Sequence, residues 1–215
     1  MPAREGDFLM HRDWPQQLAE GLAAMGVRLE AARQERLLAY LELLFKWNRA
    51  FNLTAVRDPA IAVSRQLLDS LAILPLVRGS RLLDVGSGAG LPGIPLAIAR
   101  RDWRVTLLDS NSKKTRFLRQ VQLELGLENL EVVQERLEQY RAGEPFDTIT
   151  SRAFSALPHL VDASRHLVAP GGRWVAMKGK IPREELEGIP EGFSVQVVPL
   201  EVPGEEGQRH AVIVE

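Results

Sequence analysis

The chain has 215 residues, enough for one α/β domain with an added helical segment and too few for two full-size domains. It has no cysteine, which excludes disulfides, cysteine–zinc sites and thiol catalysis, and its four histidines (His11, His159, His166 and His210) are scattered without metal-ligand spacing. Net charge is −1, and the residues before Arg81 hold 10 basic and 9 acidic side chains against 17 and 19 in the rest, so a nucleic-acid partner would need a local basic cluster.

The start, Met1 to Trp14, carries Arg4, Glu5, Asp7, Arg12 and Asp13, which is no signal peptide. No apolar run approaches the ~18 residues of a membrane span. The expectation is a cytoplasmic monomer with neither membrane nor metal partner. Residues 16–27 and 31–49 read as helices. In the second, Leu37, Leu38, Leu41, Leu44 and Phe45 recur at helical spacing between charged residues. A polar connection runs from Asn48 to Asp58, and Pro59 suits the first turn of a third helix over 60–76.

Strands then alternate with helices. The expected strands are 81–85, 104–108, 130–134, 146–150 and 173–178. The expected helices are 92–99, 111–125 (stopped by Gly126) and 157–168 (stopped by Pro170-Gly171-Gly172). Two further strands, 194–200 and 209–214, read as a closing antiparallel hairpin around the Gly204–Gly207 turn. This alternation predicts a mainly parallel sheet with helices on both faces and right-handed crossovers. Residues 1–78 are expected to form a helical extension packed on a sheet domain of residues 79–215.

The most informative stretch is Asp84-Val85-Gly86-Ser87-Gly88-Ala89-Gly90, lying between a predicted strand and a predicted helix. Glycines there let the backbone turn tightly and approach a ligand beyond the strand ends. A dinucleotide fingerprint would put its third glycine where Leu91 stands. Pro92 and Pro95 also remove N–H donors that a pyrophosphate would use. Both departures favour a ligand without a pyrophosphate, such as adenosine with an amino-acid tail. Asp109 ends the second strand, where a carboxylate can accept from both ribose hydroxyls. Asp84, Gly86, Gly88, Gly90 and Asp109 are therefore candidate cofactor residues. Asp84 as a turn or helix-capping residue is the competing reading.

The chain resembles the bacterial 16S ribosomal RNA guanine-N7 methyltransferases, also called glucose-inhibited division protein B. The resemblance rests on Asn52-Leu53-Thr54-Ala55-Val56-Arg57-Asp58-Pro59, Leu68-Asp69-Ser70, the run from Asp84 through Gly93 with Ile94-Pro95, Leu107-Leu108-Asp109-Ser110, Lys113-Lys114, Arg116-Phe117-Leu118, Ser151-Arg152-Ala153, Met177-Lys178-Gly179 and Arg209-His210, and it spans residues 48 to 214. Gln66 departs from it, because such proteins more often carry histidine after Arg65. The resemblance implies a Rossmann-like, S-adenosylmethionine-dependent methyltransferase sheet with an N-terminal helical extension. It implies methylation of guanine N7 in the 530 loop of 16S rRNA, with the rRNA or small ribosomal subunit as partner. By position it implies that Gly86 and Leu91 belong to the cofactor loop and that Leu137 and Glu138 lie by the adenine. Arg152 is implied near the methionine end or the incoming base, as a positioning group.

Transfer to N7 needs no general base, since that nitrogen has a lone pair and no proton to lose. RNA contact is expected from Lys113, Lys114, Arg116 and Arg119 on one helix, and from Lys178, Lys180 and Arg183 after the last parallel strand. Asn52, Arg57 and Arg65 are expected to frame the entrance, with Arg209 beside His210 also facing RNA. Phe154 is a candidate to stack on the guanine, while Trp174 and Met177 read as core. Arg152→Ala is expected to act on turnover more than on folding. The competing functions are a nicotinamide oxidoreductase, a non-catalytic cofactor or RNA binder, and a methyltransferase of the same fold with another RNA, a protein or a small molecule as acceptor.

Overall fold

Seven strands form one sheet: β1 (Arg81–Val85), β2 (Arg104–Leu108), β3 (Leu130–Val133), β4 (Phe146–Arg152), β5 (Val168–Lys178), β6 (Val195–Pro199) and β7 (His210–Val214), in the order β3-β2-β1-β4-β5-β7-β6. This computed structural model describes residues 13–154 and 156–215; the chain's start, with His11, lies outside the described residues. The first five strands pair in parallel. The last two pair antiparallel, as expected of a hairpin, but β7 inserts between β5 and β6 instead of lying outside it. Burial explains the order. Ala211–Val214 of β7 are buried throughout, whereas β6 is exposed or half-buried, so the more apolar strand takes the inner place.

The helices are α1 (Trp14–Ala24), α2 (Ala31–Phe51), the single turn α3 (Asp69–Leu71), α4 (Gly93–Ala99), α5 (Ser112–Leu125), α6 (Leu157–Ser164) and the short α7 (Arg183–Glu187). The Asn111 side chain caps α5 by accepting from the N–H groups of Lys113 and Lys114, and Gly126 ends it with φ +59°. α6 stops earlier than its apolar pattern implied. A 3₁₀ turn, Arg165–Leu167, follows it, and Val168 already belongs to β5. Pro170-Gly171-Gly172 therefore lies inside β5, near the point where its register against β4 shifts between Phe146 and Thr148.

The helix expected over 60–76 is broken into a 3₁₀ turn (Pro59–Ile61), a π-helical stretch (Val63–Leu68), α3 and a second 3₁₀ turn (Leu74–Leu76). The wide stretch has a cause elsewhere in the chain. The N–H of Asp69 donates to the carbonyl of Ser64, one residue further back than in an α-helix. That frees the Arg65 carbonyl, which accepts from Nη1 of Arg152 at 2.9 Å. A side chain inserted into the ladder widens the turn.

Strand alternation divides the core in two. Leu82, Val105, Leu107, Val175, Met177 and Ala211 face α1, α2, the 59–76 segment, α4 and α5, and one continuous apolar cluster joins the helical extension to this face. Leu83, Val85, Leu108, Ile149, Trp174 and Val212 face the other way, against Leu157, Leu160 and Val161 of α6. Asp84 shares the parity of Leu82, so its side chain points under the helical extension. The chain reverses direction across the sheet between β1 and β4, which leaves a crevice at their carboxyl ends.

Candidate functional site

A cavity of about 310 Å³ opens at that crevice. Its floor is Val85, Gly86 and Leu108; one wall is Asp109, Ser110 and Lys114, and the other is Glu135 to Glu138 with Ala153 and Phe154. Every one of these residues lies at or just beyond the carboxyl end of β1 to β4, or on the first turn of α5. Gly86, Gly88 and Gly90 have φ of +66°, +59° and +91°, the left-handed region that β-carbons disfavour. At Gly86 an added Cβ would stand 2.6 Å from the Phe154 ring. At Gly88 it would meet nothing closer than 3.7 Å, so that backbone is open to a ligand.

Asp109 is buried at the rim. Its Oδ2 accepts from the N–H of Gly88 at 2.9 Å, and its Oδ1 from the N–H of Asn111 at 2.8 Å. Nζ of Lys114 stands 3.7 Å away. Each carboxylate oxygen keeps a second lone pair, so the group can hold the loop and still accept from a ligand diol. Asp84 behaves differently. It is fully buried below the loop, and its Oδ2 accepts from the N–H of Gly93 at 3.0 Å, which makes it the cap of α4. Among the described residues its other oxygen has no hydrogen-bond partner. Burial pushes its carboxyl up to about 7 against the lowering effects of the Gly93 N–H, the Ser87 hydroxyl and Arg152, with Asp109 adding to the rise.

These arrangements fit S-adenosylmethionine better than a dinucleotide. The first free N–H of α4 is already taken by Asp84, so a pyrophosphate would find no donor there. The ionisable wall residues are Asp109, Glu135 and Glu138 against Lys114 and Arg136, a balance unfavourable to a diphosphate. Of the nine cofactor candidates, Gly86, Asp109, Leu137 and Glu138 line the cavity. Gly88 hangs on Asp109, Gly90 and Leu91 form the buried turn into α4, and Asp84 and Arg152 stand on the opposite side of the loop under the helical extension.

Arg152 is held there by three partners. It donates to the Arg65 carbonyl, to Oδ2 of Asp69 at 3.1 Å and to Oε1 of Gln66 at 2.9 Å. Gln66 is wholly buried and donates in turn to the Thr54 hydroxyl, so the residue that departs from the resemblance contacts protein on both sides of its amide. Arg209 continues the cluster by pairing with Asp69 and Glu205, and Arg65 also pairs with Glu205. Arg57 donates to Asn52, and Lys178 is paired with Glu185 at 2.7 Å. Lys113, Arg116 and Lys180 are exposed. Trp174 and Met177 are buried, and the Trp174 indole donates to the Ser164 hydroxyl. Nδ1 of His210 donates to the Gly179 carbonyl at 2.9 Å. The Phe154 ring stacks on His159, with ring centres 6.2 Å apart.

Ser110, Glu135 and Arg136 are wall residues that motif reading missed. The available signal was positional: each follows the carboxyl end of a strand beside the crossover. Among the described residues no group of His, Cys, Asp or Glu could hold a metal ion, and no helix is long and apolar enough to cross a membrane.

Comparison with known proteins agrees with this geometry. Among solved structures, a SAM-dependent methyltransferase from Aquifex aeolicus superposes with a TM-score of 0.54 at 20% identity, over 72% of this chain and 92% of that one. The cofactor-bound Rv0187 from MTB superposes with a TM-score of 0.59 at 21% identity, over 84% and 88%. At such identities the likeness establishes the methyltransferase fold. A ribosomal RNA small subunit methyltransferase G of Marinobacter nauticus is 54% identical over 207 residues, 96% of this chain and 97% of its own. The GidB family model, described as rRNA small subunit methyltransferase G, matches residues 33–212. The chain therefore belongs to the rRNA small subunit methyltransferase G family.

Proposed function

We propose that this chain transfers the methyl group of S-adenosylmethionine to N7 of a guanine in the 530 loop of 16S rRNA, with the cavity above β1 as the cofactor site. It is an S-adenosylmethionine-dependent rRNA methyltransferase by family and by fold. The observation that carries the site is the juxtaposition of the open backbone at Gly88 with the Asp109 carboxylate at the edge of one cavity.

The bound cofactor supplies an electrophilic methyl group on a cationic sulfur. Asp109 accepts from the ribose hydroxyls while fixing the loop through Gly88. Leu137 and Glu138 flank the adenine, Leu137 as an apolar wall and Glu138 as an acceptor. Gly86 and Gly88 let the methionyl part approach the backbone, and Gly90 and Leu91 hold that turn against α4. No proton has to be moved to free N7, so the residues act by alignment and exclusion of water, which can lower a barrier by about 7–11 kcal/mol. Arg152, on β4, stiffens the edge from which the base enters. Phe154 offers a flat face to an unstacked guanine. Lys113, Arg116 and Lys180 are available to grip phosphate, and Arg57, Arg65, Lys114, Lys178 and Arg209 add positive charge to the rim while held by their own partners. The described part of the extension, residues 13–78, serves as one wall of the RNA entrance, and the protein works as a cytoplasmic monomer.

The test is incubation with methyl-labelled S-adenosylmethionine and 30S subunits from cells lacking the modification. Label at one guanine N7 of 16S rRNA is expected. Cofactor binding with no label in rRNA would overturn the acceptor.

A further inference from the structure

We propose that the chain carries a second RNA site, a cavity at the amino end of β2 in which Arg28, Arg33 and Arg100 hold a backbone phosphate of the substrate rRNA. The inference rests on rRNA being the acceptor.

A cavity of about 310 Å³ lies where the loop between α1 and α2 meets the end of α4. Its lining divides by chemistry. Val27, Leu29, Leu74, Pro75 and Ala99 form an apolar shelf, and Arg28, Arg33 and Arg100 supply three guanidinium groups. No carboxylate lines it, in contrast to the cofactor cavity with its three acids against two cations. Two of the arginines are fixed in place by the fold. Nη1 of Arg33 donates to the Ala99 carbonyl at 2.6 Å, and the rest of its planar fork has further N–H groups to offer. Arg100 lies over the Trp103 ring at 4.7 Å and donates from Nε and Nη2 to Asp102, at 2.9 and 2.6 Å. Arg28 is exposed and has no ion-pair partner among the described residues. Asp102 offsets one of the three charges, so a surplus of positive charge faces the cavity. Glu30 belongs to the adjoining hollow beside Arg28 and not to this one. A rigid fork beside a mobile cation and an apolar shelf suits a phosphate that carries a sugar and a base.

The surroundings favour a polyanion over a free nucleotide. The positive charge does not stop at the cavity. Arg101 follows Arg100, and Arg104 opens β2, where it stands in register with Arg81 of β1; Arg101 and Arg104 are both exposed. Such a strip follows a chain of phosphates beyond the one the cavity holds. It lies at the opposite end of β2 from the cofactor cavity, about 16 Å away at the rise of a parallel strand. A contact there fixes register without touching the reacting base. Together with the cations at the start of α5 it gives the enzyme two grips on one RNA, so the second engages at the high effective concentration set by the first.

Binding of 30S subunits to the full-length protein at several salt concentrations tests this. In the double variant Arg28→Ala, Arg100→Ala the slope of log affinity against log salt should become shallower by about 1–2. Methylation should lose about tenfold, in KM for 30S subunits and not in kcat, with S-adenosylmethionine affinity as in the wild type. Arg28→Glu, in an exposed loop, repeats the measurement without disturbing the Arg100–Asp102 pair and should shift the slope the same way. Because the chain has no cysteine, Arg28→Cys gives one attachment point for a photo-cross-linker. A cross-link to 16S rRNA is expected; a cross-link to ribosomal protein alone, or none, overturns the inference. A salt slope equal to the wild type's in both charge variants also overturns it. Binding of AMP or inorganic phosphate that Arg28→Glu abolishes, with the 30S slope unchanged, assigns the cavity to a free phosphate ligand instead. Wild-type protein that neither binds nor labels 30S subunits overturns the acceptor itself; a wild type that does both, with unchanged slopes in the variants, overturns only this cavity.

Discussion

Two carboxylates end neighbouring strands, and their surroundings give them different chemistry. Asp109 is fixed by two backbone N–H groups at the cavity's rim, so its removal should loosen the loop and cost the ligand charge-assisted bonds. Asp109→Ala is expected to weaken S-adenosylmethionine binding by about 1–3 kcal/mol in calorimetry, with a folded circular-dichroism spectrum. Asp84 is linked to stability instead. Its carboxyl sits near 7 in the folded protein against an ordinary 3.8, so in that window the folded chain keeps a proton the unfolded chain has lost. Stability contributed by this group therefore falls as pH rises from about 4 to 7 and levels off above. Urea unfolding of Asp84→Asn should show a gain over wild type that is ~2–3 kcal/mol larger at pH 8 than at pH 5. The same gain at both pH values would refute the assignment. The glycines separate as well. Both alanines are strained by the positive φ; Gly88→Ala meets no clash and should add a loss of cofactor affinity to that strain, whereas Gly86→Ala also drives its methyl into Phe154 and should displace that ring at a further loss of stability. Comparing Kd and Tm for the two variants distinguishes these effects.

The elements that the sequence announces most clearly are those in which pattern and packing agree. α5 has a capping asparagine, helical apolar spacing and a terminal glycine, and it forms where all three predict. β1, β2 and the switch-point crevice were legible for the same reason. The 59–76 segment was not. Its apolar spacing is helical, but the π-helical stretch depends on Arg152, far along the chain, taking the Arg65 carbonyl. No local pattern encodes that bond. It also changes what Arg152 is expected to do: the side chain ties β4 to the extension through Asp69 and Gln66, so its loss reaches the fold as well as turnover. Arg152→Ala should lower stability by about 1.5–3 kcal/mol, the range for hydrogen bonds to charged groups, read by urea unfolding. An unchanged midpoint would confine Arg152 to positioning at the site. The candidate site was legible where a glycine or a strand-terminal acid marked it, and hidden where only three-dimensional position did, as at Arg136 and Ser110. Asp84 reads in the sequence as a cofactor residue, with capping as the competing reading; its place beneath the loop as the cap of α4 required the packed helices above it.

Across the whole molecule the net charge of −1 gives no general attraction to RNA. On the proposed reading, affinity comes from the exposed cations at the start of α5 and beyond β5. The double variant Lys113→Glu, Arg116→Glu should lower the affinity for 30S subunits and flatten its salt dependence, with S-adenosylmethionine affinity unchanged. A salt slope equal to the wild type's would place the RNA elsewhere. The sheet's strand order has a separate consequence for how the protein is made. β5 finds its second neighbour only in β7, and β6 has no partner except β7. During synthesis a nascent chain that has emerged through β6 holds two strand edges that only residues 210–214, further along the chain, close. Such late, distant pairing is slow and leaves edges able to recruit other chains. The sheet is thus completed only after its first six strands have been made on the ribosome, the same kind of particle whose small-subunit RNA its family methylates.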